Sequence, residues 1–185
     1  MRLTALFLAI LSSTLALALP TDLIRPQEWT PAANSTVICD KASDKIISFY
    51  VGPQKEPVLQ AACKAMMPAC AFPETEELCP TVLDWKLDGP KNSTQSVNVE
   101  DAETNNKLSG WEAKFSVTPA STYGGAGALV MWSKADCHGY FNQLVSNTAP
   151  NGCLTQKGSG TGSLWVGAAS SLTGTEFKIE IVRRT

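Results

Sequence analysis

Six cysteines, Cys39, Cys63, Cys70, Cys79, Cys137 and Cys153, all follow a run that reads as an export leader, and nothing else in the chain narrows its fold as much. The leader begins with Met1 and Arg2, continues through an apolar stretch from Leu3 to Leu17, and ends at Ala16-Leu17-Ala18, a small-x-small cleavage site before Leu19 and Pro20. The stretch is shorter than the ~20 apolar residues a spanning helix needs. No later run is apolar enough to span, and no hydrophobic C-terminal tail signals a lipid anchor. The mature chain is expected to start near Leu19 and to be secreted, soluble and without a transmembrane anchor. An even number of cysteines in an oxidising space implies up to three disulfides, whose connectivity the spacing leaves open. A metal site would need paired short spacings such as C-x-x-C, which do not occur, and His138 is the only histidine. Disulfides are therefore expected at all six positions, and no metal and no cofactor.

The stretch from Gly127 to Cys153 carries the clearest local structure. Ala128 to Trp132 is an unbroken apolar run, the pattern of a strand buried on both faces. Ser133 and Asp136 have capping-box spacing. Cys137, Tyr140, Phe141, Leu144 and Val145 then fall at i, i+3, i+4, i+7 and i+8, one face of an amphipathic helix over 133–146. Pro150, Asn151 and Gly152 end that segment. The helix runs about 14 Å from Cys137, and residues 147–153 reach about 23 Å when extended. Cys153 is thus the expected disulfide partner of Cys137.

Earlier in the chain, residues 19–37 hold Pro20, Pro26 and Pro31 without apolar period and read as an extended arm. Trp29 is its one large apolar group, expected to cover a core edge. Residues 45–51 form a dense apolar strand. A helix over 57–67 follows, with Leu59, Ala62, Cys63 and Met66 on one face and a forced end at Pro68. Cys70 and Cys79 are expected to tie down a polar loop containing Glu74, Glu76 and Glu77. Strands at 82–88 and 95–100 suggest a hairpin with Asn92 at its tip. Residues 111–118 alternate cleanly, and further strands are expected at 163–167 and 175–182. The Gly-rich run 157–162 reads as a flexible loop.

Strand, helix, strand, strand thus occurs twice, with 111–118 between the copies. The expected fold is α+β: a two-layer sandwich in which two helices cover one face of a mostly antiparallel sheet, stabilised by disulfides. Residues 1–18 are the leader, 19–37 the arm, and 38–185 a single domain. About 167 mature residues suffice for one core.

Loss of Arg2 with the leader leaves 14 basic against 17 acidic side chains, a net charge of about −3. Such a chain has no general attraction to phosphate backbones, so a nucleic-acid partner is not expected. Asn34-Ser35-Thr36 and Asn92-Ser93-Thr94 are N-glycosylation acceptors. His138 adjoins Cys137, but neighbouring helical residues do not face each other, and His138 lies off the apolar face. It is expected to be dispensable. Gly158-Ser159-Gly160 lacks the strand-to-helix context of a nucleophile elbow. Glu112, Asp136 and Glu176 are carboxylates with nothing in their spacing to pair them for glycoside hydrolysis. No catalytic residue is assigned, and the chain is expected not to be an enzyme.

A leader, six cysteines, two sequons and an α+β pattern resemble the small cysteine-rich secreted proteins of filamentous fungi. Residues 45–100 and 128–182, with Cys63 and Cys137 on the two helices, resemble in layout the killer-toxin-like effector group. That resemblance implies an extracellular interaction protein, a host-directed effector in virulence or a toxin against competitors, and it carries over no functional residue. The expected partner is an extracellular protein or a cell-wall glycan, met by a monomer. The alternative is a secreted cell-wall glycan hydrolase or a glycan-binding protein.

Overall fold

The structure is a computed structural model that describes residues 29–73, 82–120 and 129–185. The leader, residues 19–28 of the arm, Cys79, Glu74, Glu76, Glu77 and Ala128 lie outside these. The chain is α+β. Two eight-residue strands, β6 (Trp111–Thr118) and β9 (Glu176–Arg183), form the centre of a five-stranded sheet. β9 continues to β8 (Gly162–Trp165) and then β1 (Thr36–Cys39), while β6 pairs on its other side with β4 (Lys91–Gln95). Every ladder in this sheet is antiparallel. The clean alternation of β6 and β9 has a direct cause: Ala113, Phe115, Val117, Phe177 and Ile179 point to one face and are buried there. Lys114, Ser116, Lys178 and Glu180 point to the other.

Two helices cover the apolar face. α1 (Lys55–Met66) admits Pro57 in its first turn, where a missing N–H costs no intrahelical bond. It ends where Met67, forced extended by Pro68, donates its N–H to the Cys63 carbonyl at 3.0 Å. α2 (Lys134–Ser146) carries the expected capping box. The Asp136 N–H donates to Ser133 Oγ at 3.0 Å, and the Ser133 N–H donates to Asp136 Oδ2 at 2.9 Å. Its predicted face is buried: Phe141 meets Phe115 and Phe177 edge-on at 5.2 and 5.3 Å, and Tyr140 meets Phe177 at 4.8 Å. α1 lies along β4 and α2.

Several expectations need correction. The apolar run ending at Trp132 is not a strand buried on both faces. Only Met131–Ser133 (β7) is extended, and it pairs solely with β3 (Asp84–Lys86) in a two-stranded sheet. Trp132 is buried, while Leu129 is 61% exposed. Trp132 enters the core and Val130 packs against it, but exposed Leu129 shows that the run is not covered on both faces. The hairpin tipped by Asn92 does not form either. β3 joins β7, β5 (Asn98–Asp101) joins β2 (Lys45–Ser48), and Asn92 sits inside β4. The two halves therefore differ in topology: β8 and β9 are neighbours in the main sheet, whereas β3 and β4 belong to different sheets. Residues 157–162 are not a free loop. Ser159 is buried, exchanges two backbone hydrogen bonds with Ile47 at 2.8 and 2.9 Å, and donates its hydroxyl to the Val145 carbonyl.

The disulfide pairing also differs. Cys137 bonds Cys63, and Cys153 bonds Cys39. The Cys153 N–H donates to the Leu144 carbonyl at 2.7 Å. That places Cys153 about seven residues, roughly 10 Å, along α2 from Cys137, beyond the ~4.4–6.8 Å a bridge spans between Cα atoms. Cys137 instead faces the buried side of α1. Cys70 is also disulfide-bonded, and no described cysteine is free. Among the described residues no helix is long and apolar enough to cross a membrane.

Candidate functional site

Between α1 and α2 runs an open groove of about 490 Å3. Each helix contributes one stripe. Glu56, Gln60 and Cys63 follow i, i+4, i+7 on α1, and Lys134, His138 and Asn142 follow i, i+4, i+8 on α2. The Cys63–Cys137 bridge joins the helices beside it. Trp29 and Phe72 form its aromatic walls.

Trp29 is held from three directions. Its indole Nε1 donates to Asp136 Oδ1 at 3.1 Å, its ring stands edge-on to Tyr140 at 4.9 Å, and it lies against Gly139, where any Cβ would overlap the ring. The Ala32 N–H adds a bond to the Tyr140 hydroxyl at 3.3 Å. Burial pushes the Tyr140 phenol above its ordinary pKa, against the pull of that bond from Ala32. So Trp29 does cover a core edge, and it also seats the chain leading into β1 on α2. Phe72 follows a single 3₁₀ turn at Ala69–Ala71, and the Lys134 ammonium sits over its ring at 4.8 Å.

One polar contact between described side chains crosses the groove. His138 Nε2 lies 2.7 Å from Glu56 Oε2, and Glu56 Oε1 lies 3.6 Å from Lys55 Nζ. Both side chains of the His138–Glu56 pair are substantially solvent-exposed. The lining holds one carboxylate and one imidazole, already paired with each other. Among the described residues it holds no hydroxyl, and its cysteine is oxidised.

The other carboxylates considered from sequence are dispersed. Asp136 serves the helix cap and Trp29. Glu112 accepts from Arg184 Nε at 2.7 Å, and Glu176 accepts from Ser163 Oγ at 2.7 Å. Glu112 stands opposite Val182 on β9, six residues from Glu176, or about 20 Å along the strand. Glycoside hydrolysis uses carboxyls about 5–9.5 Å apart. Among the described residues no group of three or more His, Cys, Asp or Glu is placed to hold a metal ion. A second cleft of similar size lies at the β1–β8–β9 end of the sheet. Most of its charges are engaged internally: Lys178 bonds Glu180 at 2.7 Å, which raises the Lys178 pKa, Lys45 pairs with Asp44 and lies over Trp111 at 4.5 Å, and Asp40 accepts from the Ala42 N–H at 2.9 Å.

The sequence named His138 and Trp29 but did not bring them together with Glu56, Phe72 and Asn142. The i, i+4 stripes were available as a signal; which stripe faced which helix was not. Asn34 and Asn92 are both exposed. No protein-family model, curated protein or solved structure matches this chain.

Proposed function

We propose that this is an exported protein that acts by contact, as an effector or toxin-like partner of an extracellular protein, with the groove between α1 and α2 as its contact surface. The observation that carries this reading is the make-up of the groove. Two aromatic walls stand over a disulfide-joined helix pair, with Gln60, Asn142 and Lys134 supplying hydrogen-bond and charge contacts at the rim. Convergent polar groups over an apolar wall are the recurring design of binding sites. Tryptophan is also among the side chains most often found to anchor protein interfaces, and Trp29 forms one wall here. The disulfides support export, since such bridges persist in oxidising compartments. A second reading, a cell-wall glycan as the partner, is favoured by the planar amides of Gln60 and Asn142 beside Trp29 and Phe72.

The test is to incubate the purified mature protein with immobilised extracellular proteins and, separately, with cell-wall polysaccharides, measuring both retention and released sugar. Retention on protein that is lost in Gln60→Arg and Asn142→Arg variants of unchanged Tm supports the first reading. Retention on polysaccharide alone, lost in the same variants, selects the glycan. Catalytic release of sugar, abolished by one carboxylate substitution, overturns contact as the mode of action.

A further inference from the structure

Both sequons lie at the open edges of the five-stranded sheet. In the order β1-β8-β9-β6-β4, β1 and β4 are the two outer strands. Asn34-Ser35-Thr36 runs into β1, whose first residue is Thr36. Asn92-Ser93-Thr94 lies within β4. Among the described residues, neither β1 nor β4 makes a backbone ladder on its outer side. Edges of this kind recruit another chain unless they are charged, bent or covered. β1 reads Thr-Val-Ile-Cys and carries no charge. Ile38 is 60% exposed, and Trp165, opposite Thr36 on β8, is 44% exposed. β4 has only Lys91 as an edge charge.

The local geometry suits modification at both places. Asn92 and Thr94 are exposed, two residues apart on one strand, and so point to the same solvent face. Ser93 between them points into the core. Asn34 occupies a tight turn with φ +59°, a conformation Asn tolerates well. The turn is closed by the Ser35 N–H bond to the Ala32 carbonyl, and it is fixed to the domain by the Gly167 N–H, which donates to Ser35 Oγ at 3.0 Å. Asn34 and Thr36 are both exposed.

We propose that Asn34 and Asn92 are both N-glycosylated, and that the two glycans screen opposite edges of the sheet from pairing with a second copy of the chain. This rests on the export reading, which supplies the donor, a polyprenyl-pyrophosphate-linked oligosaccharide. Each Asn amide nitrogen loses a proton and bonds C1 of the first sugar. The C1–O bond to the pyrophosphate breaks, and the polyprenyl pyrophosphate leaves.

The experiment expresses the full chain in a secreting, N-glycosylating eukaryotic host and compares it with Thr36→Ala, Thr94→Ala and the double variant. These remove acceptor status while keeping both Asn side chains. Glycopeptide mass spectrometry reads occupancy, and light scattering against concentration reads association. As a control on folding, the glycans are also removed enzymatically from the folded native protein. The expected result is occupancy at both sites and a monomer. Loss of both glycans by either route raises the weight-average mass about twofold or more, because edge pairing of two copies is the smallest product. A secreted chain with either Asn unmodified overturns the proposal, as does a deglycosylated protein that stays monomeric. A chain retained in the cell with free thiols overturns the export reading and this inference with it.

Discussion

At position 139 the space left for a side chain is set by the Trp29 ring, which lies where a Cβ would go. Gly139→Ala is therefore expected to push the indole off α2 and break its hydrogen bond to Asp136. Displacing a packed group in this way costs about 1–3 kcal/mol. A lower Tm and a shifted Trp29 indole N–H resonance would report it; an unchanged resonance would show that the ring does not rest there. His138→Ala is the opposite case. Its partner Glu56 is exposed and keeps Lys55 nearby, so the loss is expected to stay within about 1 kcal/mol. A larger fall in Tm would mean the pair braces α1 against α2. Asp101 gives a pH dependence. Its carboxylate accepts from the Thr104 N–H and hydroxyl, both at 2.8 Å, and from the Glu103 N–H at 3.1 Å, and these bonds hold its pKa below the ordinary carboxylate value. A lowered folded-state pKa stabilises the turn above the ordinary carboxylate range, and that contribution is lost as the pH falls through the lowered value. Protection of the Glu103 and Thr104 amides from exchange, taken relative to the intrinsic rate at each pH, is expected to fall in acid, and an Asp101→Asn variant should flatten the dependence. Equal pH profiles for the two proteins would refute that account.

Among the elements, the helix pair depends most on a single bond. Cys63–Cys137 closes a 74-residue separation between α1 and α2. In the chain-entropy model a loop of this size is worth about 4 kcal/mol. A Cys63→Ala, Cys137→Ala double variant is expected to lose about that much in denaturant unfolding, with a larger m-value because the uncrosslinked unfolded chain exposes more surface. A midpoint within error of the native one would show that helix packing alone suffices. α2 was legible in the sequence because its determinants are local: a cap, a spacing of 3 and 4, and a stop. β6 and β9 were legible for the same reason, since half-buried strands alternate. β4 was not, because Lys-Asn-Ser-Thr-Gln sends only Ser93 inward and presents no apolar period. β1 was hidden behind the Pro-rich arm, although Val37 and Cys39 do alternate with exposed Thr36 and Ile38. Strand partners and cysteine partners failed together, because both depend on which surfaces meet across the chain. The groove failed for that reason too: its two stripes were readable, but their juxtaposition was a tertiary fact.

At the scale of the whole molecule, one buried cluster runs from α1 through α2 to β6, β8 and β9, and the disulfides tie its sequence-distant parts. Cys39–Cys153 joins the edge strand β1 to the return after α2 across a separation of 114 residues. Gly162 lets that bridge reach β8: a Cβ there would stand 2.7 Å from Cys153 Sγ and 2.6 Å from the Ile38 carbonyl. The Cys63–Cys137 loop is nested inside the Cys39–Cys153 loop, so the second bridge constrains an already shortened chain and the two contributions fall short of additive. Together they are worth about 4–8 kcal/mol, a large share of the 5–15 kcal/mol typical of a folded domain. Reduction and alkylation under native conditions is therefore expected to lower Tm by about 10–30 °C. Partner binding should fall with it, because α1 and α2 form the two sides of the proposed contact groove and Cys63–Cys137 links them directly. Thermal melts of native and reduced, alkylated protein, run beside the same retention assay, measure both effects. A reduced protein that keeps its Tm and its binding would show that the apolar core alone sets the groove. One that keeps its Tm but loses binding would place the role of Cys63–Cys137 in the shape of the contact surface rather than in the stability of the domain.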